Sequence, residues 1–242
     1  MTTTCGTNGR LGNQIIRNLA VSLIAEKHNL KVNYFNNDLI YKLGINLYSG
    51  SNIYNNTNIL DDNNYFMIYN CSNLNCNLNP NNNYFQTKEI IDLLYNYIQT
   101  DNIKSNIIDK NLFKERYNNN NDLYIHIRLG DVIRFNPGIA YYLNTIKLIN
   151  FNNLYISTDT ITHDIIQTIL QLYPLAIILD YDEINTIQFG STCKNIILSH
   201  GSFSAIIGYL SFYSNIYYPE YMNIKWHGDL FSIDKWIKCS IN

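Results

Sequence analysis

Hydrophobic residues along this chain follow two periods, one typical of helices and one typical of strands. Between positions 15 and 24 apolar residues recur three and four positions apart, which predicts a helix. The stretch "LKVNYF" from Leu30 predicts a strand, and a short strand-like start precedes the helix. The chain therefore opens with a strand, a glycine-rich loop, a helix and a second strand.

The same alternation returns in the second half of the chain. "DLYIHIRLGD" predicts a strand that runs into a loop, and "NLYISTD", "LAIILD" and "KNIILSH" predict further strands. "IAYYLNTIKLI", "HDIIQTILQLY" and "SFSAIIGYLSFY" predict helices. Strands that alternate with helices are typical of an α/β fold with parallel sheets covered on both faces.

With 242 residues, the chain fits two small α/β lobes. We expect an N-terminal lobe over 1–115 and a C-terminal lobe over 120–242, with the polar segment Lys114 to Asp122 as the boundary. An Asn-rich tract over 51–84 has little amphipathic period. Its scattered aromatic residues predict an ordered, loop-rich insertion.

Charge, hydropathy and cysteine spacing predict which partners and which compartment the protein has. The net charge is −2, charged residues make up 15% of the chain, and Lys and Arg form no long run, so we expect no nucleic-acid partner. No apolar stretch is long enough to span a bilayer and no signal-peptide pattern opens the chain, which predicts a cytoplasmic protein without a transmembrane segment. The five cysteines lack paired Cys-x-x-Cys spacing and are predicted to be reduced thiols.

The loop "GTNGRLGNQ" at positions 6–14 is the first candidate site. Its glycines let the backbone approach a ligand, and the N–H groups at the start of the following helix favour phosphate oxygens. It is not a P-loop, because no Lys-Ser or Lys-Thr follows the last glycine, and Asn36 and Asn37 stand where a dinucleotide site has an acidic ribose ligand. A tight strand-to-helix turn is the alternative.

The segment "HIRLGD" at positions 126–131 is the second candidate. Strand alternation puts Tyr124, His126 and Arg128 on one face, and strand ends line the ligand crevice of open α/β sheets. Arg128 is suited to neutralise a departing diphosphate. In the alternative, Arg128 and Asp131 form an ion pair and His126 is a hydrogen-bonded core histidine. Asp131 is either a general base, if it is buried, or a residue that holds its own loop together.

A third strand-to-helix junction, "SHGSFSAIIG", begins at Ser199. Ser202 and Ser204 either cap the helix or offer hydroxyl and N–H groups to a phosphate.

At these segments the sequence resembles the α-1,2-fucosyltransferase family, with similarities to the protein O-fucosyltransferases. "GRLGNQ" is similar to the family segment G-x-L-G-N-Q, and "HIRLGD" is similar to H-x-R-R-G-D, with Leu129 in place of the second arginine. "YYLNTIKLI", "LYISTD" and "CKNIILSHGSFSAIIGYL" resemble later family segments in the same order.

The resemblance implies a GT-B type fold with two Rossmann-like lobes, the N-terminal one on the acceptor side and the C-terminal one binding the nucleotide-sugar donor. It also implies inverting, metal-independent transfer of fucose from GDP-fucose to a hydroxyl of a glycan acceptor, with no cofactor. It points to Arg128 and Asn13 as catalytic residues, with Asp131 beside them. Two other hypotheses stay open, a transferase that uses another nucleotide sugar and a non-catalytic nucleotide or glycan binder. The expected donor-binding residues are Gly9, Arg10, Gly12, His126, Arg128, Asp159, Ser202, Phe203 and Ser204.

Overall fold

The computed structural model describes residues 1–4, 9–80, 83–220 and 229–241. The chain divides into two compact units, Met1–Ile107 and Ile108–Asn242, called unit 1 and unit 2 below. The division precedes the predicted boundary segment, which lies in unit 2. There Lys114–Arg116 form a 3₁₀ turn, and Arg116 pairs with Asp122 at 2.8 Å.

Unit 1 contains two separate pairs of short parallel strands. Strands β1 and β2 pair with each other, as do β3 and β4, so the described residues of unit 1 form no single larger sheet. These strand pairs do not confirm the predicted Rossmann-like N-terminal lobe. The elements are β1 (Thr2–Thr3), α1 (Leu11–His28), β2 (Val32–Asn33), α2 (Asn37–Lys42), β3 (Thr57–Ile59), α3 (Tyr65–Asn70), β4 (Asn77–Asn79), α4 (Lys88–Ile98) and α5 (Asp101–Lys110), the last of which crosses the boundary.

Two features of unit 1 depart from the simple periodic pattern. Helix α1 is buried almost all round from Leu11 to Ala25, and its polar residues are bonded inside: Asn18 donates to the Phe35 carbonyl at 2.7 Å and Ser22 accepts from the Tyr48 N–H at 2.8 Å. Among the described residues, the strand predicted from Leu30 forms a ladder only over β2, and Leu30 makes an isolated parallel bridge to Asn52. Asn36 adopts a left-handed conformation with φ 55°, which ends the extended run.

Unit 2 is built on a six-stranded parallel sheet, which confirms the predicted α/β class for this part of the chain. The strand order is β10-β9-β8-β5-β6-β7. The chain runs outward from β5 in one direction and from β8 in the other, so these two neighbours form a topological switch point. The elements are β5 (Leu123–Ile127), α6 (Ile139–Ile146), β6 (Leu154–Thr158), α7 (Asp164–Leu172), β7 (Ile177–Ile178), α8 (Glu183–Gly190), β8 (Asn195–Ile197), α9 (Ser202–Tyr209), β9 (Asn215–Pro219) and β10 (Ile237–Cys239).

Helices cover both faces of this sheet. On one face, Ile125 and Ile127 of β5 pack with residues of α6 and α7 in a buried cluster that also contains Leu129. On the other face, α8 packs against β5, and Gly190 leaves room for the Tyr124 ring. The central strand is therefore buried throughout, as expected for a parallel strand.

Candidate functional site

The loop that follows β5 carries Arg128 and lies at the switch point of the unit 2 sheet. The Arg128 side chain is 16% exposed, and its Nη2 donates to Asp131 Oδ1 at 2.9 Å. Its Nε is buried and has no hydrogen-bond partner among the described residues. A buried N–H without a partner loses its hydration without compensation, so this guanidinium retains a donor for a ligand.

Asp131 is 51% exposed and bonded to Arg128. The ion pair that the sequence left open is therefore present. A general-base role for Asp131 required a buried carboxylate, and the Asp131 side chain is not buried.

Asp159 positions the backbone of the Arg128 loop. Its Oδ1 accepts from the Leu129 N–H at 2.8 Å, and its Oδ2 accepts from the Gly130 N–H at 3.1 Å. A Cβ added at Gly130 would lie 2.9 Å from Asp159 Oδ2, so the glycine permits this close approach. The expected donor-binding residue Asp159 thus follows β6 and bonds to the protein backbone.

Three residues that sequence reasoning missed join the ends of β5 and β8. Ser199 Oγ accepts from the Arg128 N–H at 3.3 Å and lies 2.9 Å from the Tyr142 hydroxyl. Asn136 Nδ2 donates to the Arg128 carbonyl at 2.9 Å and to the Tyr142 hydroxyl at 3.1 Å. The only signal in the sequence was that Ser199 and Tyr142 belong to the segments quoted for the resemblance.

His126 and Ser204 contact each other beneath this loop. His126 Nδ1 lies within hydrogen-bond distance of Ser204 Oγ, which also accepts from the Ser199 N–H at 3.2 Å. The His126 ring lies 5.2 Å from the Phe203 ring, measured between centroids. Burial, followed by the charges of His200 and Arg128, lowers the pKa of His126 to about 3. His126 is therefore a neutral, internally bonded histidine, as the alternative interpretation had it.

His200 lies in the loop after β8. Burial, followed by the charge of Arg128, lowers its pKa to about 4. Both histidines are thus neutral near pH 7. Of His126, His200 and Arg128, Arg128 is therefore the group that carries a positive charge.

The first turn of α9 is not capped by a side chain. Gly201 is the N-cap residue, with φ 87° and ψ 165°, and among the described residues there is no side-chain cap hydrogen bond at this helix start. The capping role considered for Ser202 and Ser204 is therefore not adopted, since Ser204 bonds to His126 and the Ser199 N–H instead. Ser202 and Phe203 are half-buried in this turn, whose N–H groups carry partial positive charge.

In unit 1, the described part of the glycine-rich loop holds Asn13 close to the backbone. Gly9 has φ 89°, and a Cβ there would lie 2.4 Å from Asn13 Nδ2. Asn13 Oδ1 accepts from Gln86 Nε2 at 2.8 Å, a partner that sequence reasoning missed. Arg10 is exposed at the N-cap of α1, and Gly12 is buried in its first turn. The predicted loop residues Gly6, Thr7 and Asn8 lie outside the described residues.

The candidate residues thus form two groups, one in each unit. No protein-family model matches the chain, and no curated protein matches it either. Across the described ranges, no helix combines the length and the apolar character needed to cross a membrane. Within the same ranges, no three or more His, Cys, Asp and Glu side chains come together in a group that could hold a metal ion.

Proposed function

We propose that the protein is an inverting glycosyltransferase of the GT-B type that transfers fucose from GDP-fucose to a hydroxyl of a glycan. The observation that carries the proposal is the Arg128 guanidinium at the switch point of the unit 2 sheet, whose buried Nε–H has no hydrogen-bond partner within the part of the chain that the structure describes. In open α/β sheets, ligands bind at this place, outside the carboxyl ends of the strands.

The donor phosphates would be held by groups of unit 2. Arg128 offers a fixed positive charge with several donors, and the first turn of α9 offers backbone N–H groups that no side chain in the described ranges caps. The hydrogen bond from the Arg128 N–H to Ser199 joins the two loops that carry these groups. A diphosphate suits this combination, because it presents oxygens to both a guanidinium and a helix start.

In the proposed reaction, the acceptor hydroxyl oxygen forms a bond to the anomeric carbon as the bond from that carbon to the diphosphate breaks. The electron pair of the broken bond leaves on the diphosphate, whose charge Arg128 stabilises. The hydroxyl proton passes to water. Asp131 is 51% exposed and paired with Arg128 at 2.9 Å, so its proposed role is to orient the guanidinium. Asn13, which Gln86 holds in unit 1, is the second proposed catalytic residue. No metal or cofactor is assigned a step.

Replacing Arg128 with lysine tests the assignment. Lysine keeps the charge and loses the fork of donors, so we expect GDP to bind more weakly and turnover of GDP-fucose to fall about 100-fold. Arg134→Lys is the matched control, because Arg134 is an exposed arginine in the turn that follows the same loop. The measurements are calorimetric titration with GDP and release of GDP from GDP-fucose with a panel of glycans.

Three other outcomes discriminate between the hypotheses. Normal turnover in folded Arg128→Lys would overturn the role of Arg128. GDP binding without turnover on any glycan would favour a non-catalytic binder. Turnover with a different nucleotide sugar, and none with GDP-fucose, would replace the donor.

A further inference from the structure

A cavity in unit 1 lies at the carboxyl ends of the parallel strands β1 and β2. Its volume is about 640 Å³, within the range of small-molecule sites. It is open to solvent and bounded by the end of each strand and the start of α2. Its lining residues are Thr3, Asn33, Tyr34, Phe35, Asn36, Asn37, Asp38 and Leu39.

The cavity contains an exposed aromatic ring whose backbone is held by hydrogen bonds. Phe35 is 39% exposed, an unusual fraction for a phenylalanine. Its N–H donates to Thr4 Oγ1 at 2.9 Å and its carbonyl accepts from Asn18 Nδ2 at 2.7 Å. Asn36, which follows in the left-handed conformation, donates to Gln14 Oε1. The ring is thus presented to solvent by a segment that is bonded on both sides.

The polar groups of the cavity suit a neutral ligand that both donates and accepts hydrogen bonds. Asn33, Asn37 and Asp38 are exposed, and Asp38 is the charged side chain among the described lining residues. With no lysine or arginine in that lining, phosphate or another anion is disfavoured. Amides and a carboxylate can instead bond several hydroxyl groups at once.

We infer that this cavity binds a neutral saccharide, with one pyranose ring stacked on Phe35. A pyranose has a face of C–H groups that packs on an aromatic ring and a rim of hydroxyls that amides and carboxylates bond. Gln14 links the cavity to the glycine-rich loop, because it accepts from Asn36 and donates to the Gly9 carbonyl at 2.9 Å. The inference stands on the cavity itself. Only the description of this saccharide as the acceptor rests on the proposed function.

Saturation-transfer NMR on the full chain tests the inference, with methyl β-D-galactoside, methyl β-D-glucoside and methyl α-D-mannoside as probes and no nucleotide present. At least one glycoside is expected to bind through its ring protons. Phe35→Ala should weaken that binding about tenfold, through loss of the apolar contact. Asp38→Asn should weaken it as well, with little effect on folding because Asp38 is exposed. Tyr41→Ala is the matched control: Tyr41 is 50% exposed on α2 and does not line the cavity.

No binding of any of the three glycosides, or unchanged binding in both Phe35→Ala and Asp38→Asn, would overturn the inference. Binding of adenosine in place of the glycosides would overturn it too, by making the cavity a nucleoside site. Failure here is distinguishable from failure of the proposed function. If GDP binds in an Arg128-dependent way and no saccharide binds, only the cavity assignment fails. If a saccharide binds and GDP does not, only the assignment of GDP-fucose as donor fails.

Discussion

At the scale of single residues, Asp159 has the clearest structural role in unit 2. Its two oxygens accept from consecutive backbone N–H groups, so one side chain determines the path of the chain immediately after Arg128. Strand β6 supplies this carboxylate from the neighbouring position in the sheet. The direction of the Arg128 side chain therefore depends on a residue that need not touch a ligand.

Asp159→Ala is expected to lower the free energy of unfolding by about 1–3 kcal/mol, because the Leu129 N–H is left without its acceptor in a partly buried loop. Asp159→Asn should lower the free energy of unfolding by less, since its amide oxygen can still accept one hydrogen bond. Urea denaturation of both variants checks the order. Equal stability of wild type and Asp159→Ala would contradict the positioning role.

Leu129 shows how a single side chain constrains the site. Leu129 is 2% exposed within the apolar cluster of unit 2. Its side chain points away from the loop surface that carries Arg128. In this chain position 129 therefore stabilises the core, and Arg128 alone supplies the arginine of the motif.

At the scale of elements, two helices of unit 2 begin in the same unusual way. Gly138 precedes α6 with φ 86° and ψ 164°, and Gly201 precedes α9 with φ 87° and ψ 165°. A Cβ at either position would meet no atom within 4 Å. Glycine is therefore required at both N-caps by the backbone conformation and not by crowding.

Gly201→Ala and Gly138→Ala should each lower the free energy of unfolding by about 1–3 kcal/mol, because alanine is strained in this region of φ and ψ. The two losses should be similar, since the backbone angles match and no contact intervenes. Thermal and urea denaturation measure them. A neutral effect at both positions would show that the helix starts adopt other angles in solution.

At the scale of the whole molecule, two buried neutral histidines make stability depend on pH. The pKa of His126 falls from 6.5 to about 3 and that of His200 from 6.5 to about 4 in the folded chain. Below pH 6.5 the unfolded chain takes up protons that the folded chain does not. Stability therefore decreases as pH falls from 6.5 towards 4, and this contribution is fully present above pH 7.

His126→Gln should make this decrease shallower between pH 6.5 and 4, because one of the two protons no longer distinguishes the folded from the unfolded chain. His200→Gln should act in the same direction. Urea midpoints measured at intervals over this range, for wild type and each variant, give the slopes. A slope unchanged in both variants would contradict the assignment of neutral, buried imidazoles.

Local patterns predicted much of unit 2. Apolar runs such as "LYIHI" are long and rich in β-branched residues, so β5, β6 and β8 form where the pattern indicates. The helices α6, α7 and α9 also form where they were predicted, because their apolar residues recur at helical spacing. Because each strand runs directly into a polar loop, the candidate residues Arg128 and Ser202 could be placed at strand ends from the sequence. The sequence-based predictions did not include α8, β9 and β10 of unit 2, nor α2, α4 and α5, which begin in unit 1.

What the sequence determined by itself was the class of unit 2 and the identity of its polar strand ends, since both follow from neighbours along the chain. Only the tertiary structure decided that β5 lies beside β8, which brings Arg128 to Ser199 across 71 positions and His126 to Ser204 across 78. It also decided that Gln86 holds Asn13, 73 positions away. Such contacts depend on which strands and helices pack together, and hydrophobic periodicity carries no information about which partner an element chooses.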